Sequence, residues 1–87
     1  MMKPKKGHYY IKERAEYRAN QLMEQISKYL VDTRMTNELS QSELAIRLDC
    51  SQPRISQLES GIHNFTILQL CQIAEAYGKP LELTIKI

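Results

Sequence analysis

The side chains best equipped for recognition chemistry lie between Gln41 and Gln57. A glutamine amide sets a donor beside an acceptor, which matches adenine in the major groove, and an arginine guanidinium matches guanine. Gln52, Pro53, Arg54 and Gln57 are therefore candidate base readers, with Pro53 limited to a methylene contact to thymine. Gln41, Ser42 and Ser51 fall where helices would begin, and a helix start with its free N–H groups suits a phosphate. Catalysis needs other constellations, and the chain has none of them: no paired carboxylates on a pocket wall, no glycine-rich phosphate loop, no nucleophile with a histidine base. The expectation is a binding protein and not an enzyme, with no cofactor.

Two short helices would position these groups. Ser40 with Glu43 three residues later forms a capping box, and Leu44, Ala45 and Leu48 give an apolar face at helical spacing, so the first helix should run about Gln41 to Leu48. Asp49 and Cys50 make a tight corner. Ser51 caps again, Pro53 sits where a helix tolerates a missing N–H, Ile55 and Leu58 are buried positions, and Gly61 ends the second helix. Leu44, Leu48, Cys50, Ile55 and Leu58 fill the wedge, and small Ala45 lets the helices approach. What remains on the second helix is polar. That pattern describes a helix-turn-helix; it equally describes a plain helical corner with a soluble outer face.

The stretch resembles the lambda/434 repressor and Cro-like (XRE) helix-turn-helix family. Gln41, Glu43-Leu44-Ala45, Ser51-Gln52, Ile55, Glu59 and Gly61 stand in register with that pattern, and the likeness covers roughly Met23 to Tyr77. The resemblance implies a four-helix domain whose second motif helix reads DNA. It also implies that Arg34, which alone reads as a surface cation near a helix end, forms a structural salt bridge with Glu59. Two positions depart from the family, Glu38 and Asp49, where glycine is usual. Asp tolerates a left-handed turn. Glu38 is the harder departure and bears on the loop after the first helix.

Around this unit, the chain of 87 residues is sized for one domain with a modest core. Its net charge of +2 is too small to argue for nucleic acid by itself, but the first eighteen residues carry +4 and the rest −2. Residues 1–12 read as a basic arm, with His8 to Ile11 either helical or extended. From Glu13 to about Met35 the apolar positions Ala15, Ala19, Leu22, Met23, Ile26, Tyr29 and Leu30 mark a helix longer than a small domain needs, so its first part should protrude or meet a partner. Cys50 and Cys71 read as free buried thiols, and no zinc ligand set accompanies them. No apolar run is long enough to span a membrane and no signal-peptide core follows the basic start, so the expected location is cytoplasmic.

After the motif, Asn64 and Thr66 are candidate phosphate contacts, although capping alone accounts for Thr66. A fourth helix should follow Thr66 and end at Gly78 and Pro80, so residues 13–78 form the domain. Residues 79–87 alternate apolar and polar, with Leu81, Leu83, Ile85 and Ile87 on one side, and read as a strand that must pair with His8 to Ile11 or with a second subunit. The tail resembles the dimerising strand of certain antitoxins. The expected fold is therefore all-α, a repressor-like four-helix domain with an extended first helix and a C-terminal β-strand paired across a dimer. The expected function is a homodimeric repressor binding double-stranded DNA at an inverted repeat; the alternative is an antitoxin that neutralises a cognate toxin and autoregulates its operon.

Overall fold

A computed structural model describes residues 7–87, with side chains from residue 10 onward. Four helices follow in order: α1 Gly7–Thr36, α2 Gln41–Leu48, α3 Gln52–Leu58 and α4 Ile67–Ala76. The core lies where α2, α3 and α4 meet: Leu44, Ala45, Ile55, Leu58 and Ile73 are buried, with Leu30, Leu48, Cys50, Phe65, Ala76 and Tyr77 packed around them. Both cysteines are free and half-buried.

The starts of α2, α3 and α4 have the caps that the sequence supplies. Ser40 accepts from the Glu43 N–H while the Glu43 carboxylate accepts from the Ser40 N–H, and Thr66 and Gln69 do the same for α4. Ser51 accepts from the Arg54 N–H, with Pro53 in the first turn of α3.

The helix ends explain the two departures from the repressor pattern. After α1, Leu39 N–H donates to the Arg34 carbonyl at 3.1 Å and Glu38 N–H to Met35 at 3.0 Å. After α2, Cys50 N–H donates to Ala45 at 2.9 Å and Asp49 N–H to Ile46 at 3.2 Å. Both are Schellman closures, which need a left-handed residue, and Glu38 (φ 56°) and Asp49 (φ 54°) take that conformation. The loop after α1 therefore keeps the form that a glycine would give it, at a conformational cost of roughly 1 kcal/mol for a residue with a Cβ. Gly78 (φ 71°) closes α4 in the same way without that cost.

Two sequence expectations change. Helix α1 starts earlier than Glu13 and is 30 residues long, so it takes in residues 7–12. Of the expected basic arm, residues 1–6 lie outside the described residues. The second change is a correction: no strand occurs among the described residues, and residues 81–87 are exposed and irregular. The physical reason lies in the backbone. A strand needs a neighbour for its N–H and C=O groups, and the intrachain candidate, His8 to Ile11, has its backbone within α1. The all-helical part of the expectation stands; the C-terminal β-strand does not.

Candidate nucleic-acid interface

Helices α2 and α3 are joined by Asp49, Cys50 and Ser51; Leu44, Ala45, Ile55 and Leu58 pack against each other and Ile73 of α4, while Ile46 stays exposed on α2. The opposite face of α3 presents Gln52, Pro53, Ser56 and Gln57 to solvent, with Arg54 half-buried at its edge. Ser56 was read in the sequence as one of the polar residues of this helix but not as a base reader. The signal was there: it lies one helical turn after Gln52, so the two share a face.

A polar network ties this surface to the interior. Arg34 grips Glu59 as a fork, Nε to Oε2 at 2.8 Å and Nη2 to Oε1 at 3.0 Å, and its Nη1 donates to the Leu39 carbonyl at 2.9 Å. The two side chains are only 13% and 7% exposed, so solvent screens them little. The hydrogen bond to Glu59 raises the Arg34 pKa above its ordinary value, with burial opposing and the carboxylate charge assisting. Glu59 Oε1 also accepts from Gln41 Nε2 at 2.9 Å, and Gln41 Oε1 accepts from Gln52 Nε2 at 2.6 Å. The chain of contacts runs from a buried cation to an exposed amide on α3.

This order of contacts fixes which way each amide points. A carboxylate only accepts, so Gln41 must turn its nitrogen to Glu59 and its oxygen toward Gln52. Gln41 thereby acts first as a link between α2 and α3. One of its amide protons and the first-turn N–H groups that the Ser40 cap does not use, including that of Ser42, are left for a phosphate. The family resemblance pointed to the Arg34–Glu59 contact but not to Gln41 and Leu39 as its further partners.

Other candidate residues sit apart from this chain. Arg54 Nη1 donates to Gln57 Oε1 at 2.7 Å, pairing two candidate readers on one side of α3. The Ser51 and Thr66 oxygens accept from cap N–H groups, which leaves their O–H free to donate outward. Asn64 is exposed in the loop before α4, where His63 sits edge-on to Phe65 and shares a 3.1 Å contact with Gln69. Leu81, Leu83, Ile85 and Ile87 lie in the tail. Two structural residues had no sequence signal. Buried Ser27 donates to the Leu58 carbonyl at 3.2 Å, pinning α1 to the end of α3, and Arg47 donates to the Ala76 carbonyl at 3.1 Å at the C-terminus of α4.

Two short helices crossing at a tight corner, with an amide-lined second helix facing outward, define a helix-turn-helix protein. A family model described as a helix-turn-helix domain matches residues 12–86. The chain belongs to that family, and a domain of this kind suggests a DNA-binding regulator. Comparison with curated proteins and with solved structures gives no match. Among the described residues no helix is long and apolar enough to cross a membrane.

Proposed function

We propose that this protein is a sequence-specific, non-catalytic transcriptional regulator of the repressor and Cro-like type, a repressor that binds an inverted-repeat operator as a homodimer. The observation that carries the reading is the exposed amide face of α3, held in place by the Arg34–Glu59–Gln41–Gln52 chain. In this reading Gln52, Pro53, Arg54 and Gln57 face bases, and Gln41, Ser42, Ser51, Asn64 and Thr66 face phosphates. A homodimer is supported by apolar surface left open on the single chain: Leu83 is 61% and Ile85 73% exposed, and Leu81 and Ile87 join them.

A second reading, an antitoxin that binds a cognate toxin and autoregulates its operon, is supported by α1. Residues 10–20 of that helix are exposed throughout, and Tyr17 is 64% exposed. Such a surface suits a protein partner. Co-purification from the native host separates the two readings, since a toxin would accompany the antitoxin in stoichiometric amount.

Salt-matched titrations on an enriched duplex and a scrambled one test DNA reading directly. Gln41→Ala should weaken both complexes, because it loosens a phosphate contact and the register of docking, and the enriched one further, because Gln52 loses the partner that turns its amide. Arg54→Ala should lose roughly 1–3 kcal/mol on the enriched duplex and almost nothing on the scrambled one. Failure of the intact protein to prefer any sequence would overturn the proposal.

A further inference from the structure

We infer that Arg54 and Gln57 act as one reading head for guanine that turns its donors outward, while Gln52 keeps the mixed donor and acceptor edge that matches adenine. The inference rests on the DNA-binding reading above and assigns a class of base edge to each side chain.

The argument starts from the atoms already engaged. Arg54 Nη1 lies 2.7 Å from Gln57 Oε1. A guanidinium has no acceptor, so the amide must turn its oxygen toward it, and the outward part of Gln57 is then its NH2 group. Arg54 contributes its remaining N–H groups on the same side of α3, three residues away. A free glutamine takes adenine by accepting from N6–H and donating to N7. Gln57 has its oxygen drawn to Arg54 and its NH2 outward, so adenine's N6–H would meet that NH2 and the Arg54 N–H groups, donor against donor. Guanine presents N7 and O6, both acceptors, and meets this pair without conflict.

Gln52 is oriented by a different partner. Its Nε2 donates to Gln41 Oε1 at 2.6 Å, and Gln41 is itself turned by Glu59 at 2.9 Å. One amide proton of Gln52 is engaged inward. Its carbonyl and the other proton remain, which is the combination that adenine needs. Two glutamines on one short helix thus carry different base preferences because their neighbours differ: a cation for Gln57 and an amide oxygen for Gln52. They lie five residues apart, about 7.5 Å along and about 140° around the helix, so they should reach different bases.

The test uses the full chain and a random duplex pool. The enriched duplex is resynthesised with 7-deazaguanine at single guanines, which removes N7 and keeps Watson–Crick pairing. The expected result is a guanine whose replacement weakens binding about tenfold, an effect that vanishes in Gln57→Ala and in Arg54→Ala but persists in Gln52→Ala. Thermal melting shows whether each variant is folded, and Gln57→Leu supplies a second variant that keeps side-chain bulk. An enriched site without such a guanine overturns the inference, as does an equal 7-deaza effect in wild type and variants. Equal loss on every duplex for Arg54→Ala makes Arg54 a phosphate contact and also overturns it. Enrichment without guanine dependence leaves the DNA-binding reading standing; no enrichment at all overturns both.

Discussion

The α2–α3 unit and the C-terminal tail carry equally regular sequence patterns and have opposite fates. In α2–α3, helical periodicity comes with side-chain caps at both helix starts, a closure after α2 and a shielded ion pair. In the tail, alternation at strand period comes with no partner, and residues 81–87 stay exposed and irregular. A helix satisfies its backbone locally, whereas a strand depends on a neighbour. Periodicity therefore sufficed for one region and not for the other.

The difference is broken most severely by removing the cation at the centre of the ordered unit. Arg34→Met leaves the Glu59 carboxylate buried at 7% exposure with only Gln41 as donor. The expected loss is about 3–5 kcal/mol, seen as a fall in the thermal midpoint by circular dichroism. Unchanged melting would show that the network contributes nothing to stability. Adding Glu59→Leu should recover part of the loss, because the carboxylate left unpaired is then gone as well.

Most of the ordered unit was legible because its signals are local. Ser40 and Glu43, Ser51 and Pro53, and Thr66 lie within one turn of the N–H groups they satisfy or replace, so spacing alone reveals them; Gln69, the other half of the Thr66 capping box, was not read. Arg34 and Glu59 are 25 residues apart and were found through family resemblance, not through any pattern in the residues. Ser27 on the Leu58 carbonyl, 31 residues away, left no trace at all. A serine hydroxyl aimed at a backbone carbonyl depends on how two helices cross, and the helix period does not encode that crossing. The pairing of Arg54 with Gln57 is local, yet it went unread because both side chains were assigned outward to bases one by one.

A smaller effect is expected at the edge of the same unit. The Tyr77 hydroxyl is buried without a hydrogen-bond partner. Burial raises its pKa above 10.0, and the nearby Glu59 charge adds to the shift. For a raised folded-state pKa, the stability is fully present below the unfolded value and is lost as pH climbs through the folded one. Wild type should therefore lose stability above about pH 10, and Tyr77→Phe should lose less over that window. At neutral pH the variant should match wild type or gain about 1 kcal/mol, since a buried hydroxyl without a partner is removed. A clear loss at neutral pH would mean that the hydroxyl is satisfied in solution. Chemical denaturation at pH 7 and at pH 11 makes the comparison.

The smallest effect on the fold is expected from the tail, and there the contrast is sharpest. Deletion after Lys79 removes the exposed apolar positions Leu81, Leu83, Ile85 and Ile87 and leaves Gly78 to close α4 as before. No core residue lies in the deleted segment. The unfolding free energy of the separated chain should stay within about 0.5 kcal/mol of wild type, as for surface changes that touch no core, cap or pair. The association state should respond differently. If the tail's apolar side chains are covered by a second copy, as proposed, the mass from sedimentation should fall toward that of one chain, and affinity for an inverted repeat should drop more than affinity for a single half-site. A truncated protein that keeps its wild-type mass would move the dimer contact elsewhere, and the exposed stretch of α1 around Tyr17 and Leu22 would be the next surface to alter. A truncated protein that melts early would instead mean that the tail packs on its own domain, and the distinction between the two regions would collapse.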